Sequence, residues 1–266
     1  MAQMNLKMNT LLAKTEHSAS SFAQMLANYN NFFKSKQGAF RGEKKTFVPR
    51  DGYFDDPSKM GTTTVVTTVN EKMDWFNDQF KNYLNEVFSI ESTNSAGAKR
   101  VELKVGNQSF GMLTALDLMR LKNILTSKDI ISVFENIPVR SDATVWSKSD
   151  NPEYAGRDVY ETEIMRGVTR TTEKDEVILK DPNIDPLHLP ANYNARTTVK
   201  SKTVETGDYT MQQFTGEWTQ RQKAELLRRR SELLAAVITA LKEVNDVESM
   251  NSNLDVDSFI NYLYKG

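Results

Sequence analysis

The sequence predicts an α+β fold, predominantly a helical bundle of four long helices with an antiparallel β region at about residues 140–210. Two observations predict it. Apolar residues recur at helical spacing in four stretches, the first from Leu11 to Phe32 and the last from about Thr215 to Val247. Between the third and fourth, residues 140–210 become rich in Thr, Val, Lys and Glu. They carry the turn clusters "SDNPEYAG" and "DPNIDPLHLPANYN", and that composition favours antiparallel ribbon over helix.

In the first stretch Leu11, Thr15, Ser18, Phe22, Met25, Tyr29 and Phe32 alternate steps of four and three, a heptad-like seam. Its aromatic half suits packing inside one domain, or against a second subunit through Leu11, Phe22, Met25, Tyr29 and Phe32. Glycines and prolines interrupt the chain at 34–61, which reads as a basic linker. Thr68 with Glu71 has capping-box spacing and opens a helix at about 68–90. In "KRVELKV" (99–105), Val101, Leu103 and Val105 alternate with Glu102 and Lys104, a short half-buried strand. Thr114 with Asp117 repeats the capping pattern. The third helix then runs to about Asn136, with a break near Ser127 and a stop at Pro138. Strands are expected at 158–166, 168–180 and 195–206, and "LDVDSFINYLYKG" closes the chain as a short helix. Three regions follow: a helical domain at 1–138, the β region at 139–210, and a C-terminal region at 211–266 whose long helix packs back on the first.

Several of these segments resemble an uncharacterised bacterial protein family whose members are sometimes loosely labelled septicolysin-like. They are "FRGEKKTFVP", "TTVNEKMDWF", the valine-rich strand, the leucine-rich helix ending in Ile-Pro, and "EWTQRQKAELLRRRSELLAAVITALKEVN". The order matches over nearly the whole chain. The family supplies no catalytic residues, and its label implies pore formation. Its members tend to carry a His-Pro-Ala stretch in the β region. Here the nearest match is the interrupted His188-Leu189-Pro190-Ala191.

Composition narrows the function classes. The absence of cysteine removes disulfide frameworks, thiol nucleophiles and Cys-ligated metal centres. A net charge of −1 does not favour nucleic acid or anionic membrane, so any basic patch must be local. The longest uncharged apolar run, "LLAAVITAL", is about half of the ~20 residues a spanning helix needs. The N-terminus lacks the apolar core of a secretory signal, and a soluble, cytoplasmic protein is expected. No Gly-rich phosphate loop, HExxH or GxSxG occurs. His17, off the apolar seam, and His188, in a proline-flanked loop, do not make a metal site or a charge relay. The acidic turns "DGYFDD" and "DPNID" lack EF-hand spacing. No cofactor or small-molecule substrate is indicated. Paired carboxylates leave no signature in sequence.

Two basic stretches remain. Lys34, Lys36, Arg41, Lys44, Lys45 and Arg50 stand against one acid, with Phe40 and Phe47 interleaved, a pattern that can hold single-stranded nucleic acid from a solvated loop. In "LLRRRSELLAAVITAL", Arg228 and Arg229 face away from the leucines, with Glu225 and Glu232 one turn off. Arg230 lies inside the apolar stripe and is expected to pair with a buried carboxylate, Asp117 first among them. The Thr-rich "GTTTVVTTV" and "ARTTVKSKTVET" raise the question of pore-forming strands. Val199 and Val204 are out of phase, however, and give no continuous lipid face. The expected function is a non-enzymatic interaction or assembly protein that self-associates through helical faces and β edges. A nucleic-acid-binding accessory protein is the first alternative and a pore-forming protein the second.

Overall fold

The computed structural model describes residues 7–178, 196–246 and 254–265. Its elements run α1 Met8–Ser35, β1 Arg41–Pro49, β2 Gly61–Thr63, α2 Val69–Asn94, β3 Arg100–Val105, β4 Gln108–Thr114, α3 Ala115–Leu125 and α4 Lys128–Glu135. Then follow β5 Ser147–Lys148, β6 Tyr160–Glu161, β7 Met165–Ile178, β8 Thr197–Thr215, α5 Gln220–Val244 and α6 Val256–Lys265. They divide into two compact units. One holds the described parts of 1–33, 75–137 and 221–266, the other 34–74 and 138–220.

In the first unit, α1 lies along α2 by aromatic packing. Phe22 stacks on Phe80 and Tyr83 at 5.3 and 4.5 Å between ring centres, and Tyr29 stacks on Trp75 at 5.6 Å. Phe76 is fully buried between α1 and α4, within about ring-contact range of Phe22, Tyr29 and Phe134. β3 and β4 form a hairpin across Gly106-Asn107. Gly106, at φ 58°, takes the first loop position, where a type II′ turn requires positive φ. The N-terminus of α3 is closed by the expected box. The Asp117 amide donates to the Thr114 hydroxyl, and the Asp117 carboxylate accepts from the Thr114 amide at 3.0 Å. A second core gathers Val101 and Leu103 of β3, Leu118 and Leu125 of α3, and Val237, Ala240 and Val244 of α5. On α6, Val256, Phe259, Ile260 and Leu263 recur at i, i+3, i+4 and i+7, yet each is exposed.

The second unit is built on β8. One edge of β8 pairs with β1 through nine consecutive residues, from Arg41↔Thr215 to Pro49↔Gly207. Its other edge pairs first with β6 and then with β7, giving the order β2-β1-β8-β6-β5 with β7 beside β8. Under the sheet, Val65, Tyr154, Val159 and Phe214 form a small core. The Thr68–Glu71 box is made as its spacing predicts: the Glu71 amide donates to the Thr68 hydroxyl at 3.1 Å, and Glu71 accepts from the Thr68 amide at 2.9 Å.

The expected bundle of four long helices is therefore replaced by a mixed α+β fold with an extensive antiparallel sheet. Among the described residues three helices, α1, α2 and α5, exceed twenty residues. The third expected helix is split into α3 and α4 at Ser127. The basic linker is not a solvated loop. Its core is strand β1, with Phe40 and Phe47 buried. The physical reason is the partner. β1 pairs along its whole length with β8, roughly 160 to 170 residues away, and charged side chains on a strand can reach solvent while the ladder forms. The strand to Thr215 also displaces the expected start of the last helix to Gln220.

Candidate assembly surface

Beyond Thr169 and Gly207, β7 and β8 leave the sheet as a two-stranded ribbon. It runs from Arg170↔Glu205 to Ile178↔Thr197 with a bulge at its root. Nine residues on each strand span about 26 Å at the usual strand rise. One face presents Thr171, Glu173, Asp175 and Val177 with Val204, Lys202, Lys200 and Thr198. The register sets Glu173 opposite Lys202 and Asp175 opposite Lys200. The other face presents Arg170, Thr172, Lys174 and Glu176 with Glu205, Thr203, Ser201 and Val199. Each face thus carries two acids and two bases and is formally neutral. From Arg170 to Glu176 every residue of β7 is exposed, as is every residue of β8 from Val199 to Thr203. Among the described residues, β7 pairs with β8 alone, so its outer edge of 14 residues is open.

The root of the ribbon is clamped. Arg50 donates to Asp208 at 3.1 Å and also to Glu205, which accepts from Arg170 at 3.0 Å. The Tyr53 hydroxyl donates to Glu173 at 2.6 Å. Arg170 and Arg50 together hold the Glu205 carboxyl below the ordinary carboxylate range. Packing adds to the clamp: the Tyr209 ring covers Gly167, where a Cβ would lie 2.5 Å from the ring.

The six basic residues expected to grip nucleic acid lie in this second unit, and three are neutralised. Arg41 donates to the buried Glu217 at 2.8 Å, Lys45 pairs with Glu43 at 2.5 Å, and Arg50 serves the ribbon root. Lys34 closes α1, Lys36 precedes a short 3-10 turn, and Lys44 is exposed on β1. The seam of α1 is likewise occupied: Phe22, Met25 and Tyr29 are buried and Leu11 and Phe32 half-buried, with α2 of the same chain supplying the aromatic partners. His17 is exposed on α1. His188 and its Leu-Pro-Ala neighbours lie outside the described residues, as does the "DPNID" turn.

Arg228 and Arg229 are exposed and bonded to Glu225, Arg228 also to Glu232. Arg230 is half-buried, but the expected pair with Asp117 is not made. Arg230 donates Nε and Nη2 to the Leu125 carbonyl at 2.9 and 2.6 Å. Leu125 ends α3 and Asp117 sits in its first turn, about 12 Å apart along the axis. The arginine thus caps the negative end of a helix whose positive end holds the aspartate, and the carbonyls of the last turn take the place of a carboxylate. The two neighbouring guanidiniums press the Glu225 carboxyl from an ordinary 4.5 to about 2. Its folded pKa is depressed, so its contribution is complete above about pH 4.5 and is lost as pH falls toward 2. A carboxyl-carbon NMR titration should show Glu225 titrating last among the glutamates, and added salt should move its midpoint back up.

The fold and surface together describe a mixed α+β protein with a long β ribbon exposed on both faces. The chain belongs to DUF7873, a family of unknown function, which matches residues 5–266. The resemblance to an uncharacterised family thus stands, while the family's description carries no septicolysin-like label. No curated protein and no solved structure matches the chain. Among the described residues, no helix is long and apolar enough to cross a membrane.

Proposed function

We propose that this chain is a non-enzymatic assembly protein that joins copies of itself through the β7–β8 ribbon, with the exposed face of α6 as a second contact. The observation that carries the reading is the ribbon itself. A two-stranded ribbon wetted on both faces is marginal alone, and an open edge of this length templates strand addition. The occupant that fits is another copy of the same edge. Each face is formally neutral with alternating signs, so like surfaces do not repel, and a polyanion or anionic membrane gains no field to follow. The apolar stripe of Val256, Phe259, Ile260 and Leu263 supports the same reading. A ten-residue helix is too short to persist on propensity and gains its stability from burial.

Light scattering on size-separated full-length protein tests the proposal. The expected result is a mass of two or more chains at tens of micromolar. Replacing residues 170–205 by Asn-Gly, which rejoins Thr169 to Thr206 by a tight turn, should lower that mass to one chain while the helical circular dichroism persists. A monomeric full-length protein, or an oligomer that survives the replacement, overturns the proposal. An absorbance ratio revealing co-purified nucleic acid would instead favour the basic strand.

A further inference from the structure

We propose that the cleft between α1 and α2 in the first unit is a binding site for a neutral pyranose sugar. The cleft encloses about 370 Å³, within the range of small-molecule pockets. Its apolar wall is aromatic and already braced. Phe22 lies parallel to Tyr83, tilted by 10°, and Trp75 lies parallel to Tyr29, tilted by 3°. Tyr29 covers one face of the indole, yet Trp75 is 51% exposed, so its other face is open.

The rim supplies the second half of the chemistry. His17 and Ser21 come from α1, and Gln79 and Asn82 from α2 at i+4 and i+7 from Trp75. None of these four side chains has a hydrogen-bond partner among the described residues. These four are solvent-exposed imidazole, hydroxyl and amide groups beside an aromatic wall, donors and acceptors that a ligand can take over from water. No carboxylate, lysine or arginine lines the cleft, so a charged ligand would find no counter-charge. A pyranose matches this layout. Its C–H groups gather on one face, which the negative face of an aromatic ring attracts, and its hydroxyls radiate to the rim, where amides donate and accept at once. The α2 spacing 75, 79, 82 and 83 puts indole, both amides and phenol along one helical face about 12 Å long, so a ring stacked on Trp75 lies one turn from Gln79 and directs its far hydroxyls toward Asn82.

Titration of the full chain with glucose, galactose and N-acetylglucosamine tests the site, read by tryptophan fluorescence and by the assigned indole resonance of Trp75. The expected result is saturable change with at least one sugar in the millimolar range. Gln79→Ala and Asn82→Ala should each weaken it about tenfold while leaving the melting temperature unchanged. Adenosine serves as a planar, stacking control and should not compete. The proposal is overturned if no sugar perturbs the Trp75 resonance at tens of millimolar, if both alanine variants bind as the parent does, or if adenosine alone saturates the site.

Discussion

Phe76→Ala is expected to destabilise the first unit by about 3–5 kcal/mol, the range for deleting a fully buried aromatic ring. The ring has no solvent contact. Its neighbours belong to three helices: Phe22 and Tyr29 on α1 at 6.3 and 5.6 Å, Phe80 on α2 at 5.8 Å, and Phe134 on α4 at 6.0 Å. A cavity at such a junction closes only if several helices shift together, and parallel stacks such as Phe22 on Tyr83 resist that shift. Chemical denaturation followed by helical circular dichroism measures the effect. Phe76→Leu, which refills much of the volume, should recover more than half of the loss. Because the chain has two compact units, the transition is read for the helical signal alone rather than as one global step. A loss below about 1 kcal/mol for the alanine variant would contradict the packing described.

The same cluster explains what the sequence could and could not disclose. Phe22, Met25 and Tyr29 stand at heptad spacing, and that spacing marks a buried stripe. It does not say whose residues cover it. Phe76, Phe80 and Tyr83 form an equally plain stripe on α2, yet no local rule distinguishes a mate in the same chain from one in a second copy. Features closed within four residues were legible to the atom, as in the Thr68–Glu71 and Thr114–Asp117 boxes. β1 was not, because its nine partners on β8 lie far along the chain and its lysines and arginines disguise a strand as a loop. The ribbon was half legible. The composition of 168–180 and 195–206 announced strands, but the openness of the β7 edge depends on what fails to pair with it. The cleft was invisible, since nothing in the spacing of Trp75, Gln79 and Asn82 brings His17 and Ser21 across from another helix. Arg230 shows a different limit. The stripe correctly demanded a partner, but the demand was met by the last-turn carbonyl of α3 rather than by a carboxylate.

The second large effect is expected at Gly216, which follows β8. Its amide donates to the Phe40 carbonyl at 2.8 Å, and its carbonyl accepts from the Val69 amide at 2.8 Å. These bonds press the backbone of Gly216 onto Thr68. A Cβ at 216 would lie 2.8 Å from Thr68 Cγ2 and 2.9 Å from Thr68 Cα. Thr68 cannot yield freely, because it is buried and its hydroxyl caps α2 by accepting from the Glu71 amide. Gly216→Ala therefore either overpacks the contact or displaces the cap. Overpacking costs about 1–3 kcal/mol and a lost cap about 1 kcal/mol more. Gly38→Ala is the matched control: a Cβ there meets nothing within 4 Å, so stability should hold or rise by up to about 1 kcal/mol. Thr68→Ser keeps the capping hydroxyl and removes Cγ2, so Gly216→Ala should cost less in that background than in the parent. The remaining loss then reports the contact with Thr68 Cα, which no side-chain change relieves. Equal losses in the two backgrounds would show that Cγ2 is not the obstacle, and a Gly216→Ala as mild as Gly38→Ala would show that the two backbones do not approach so closely.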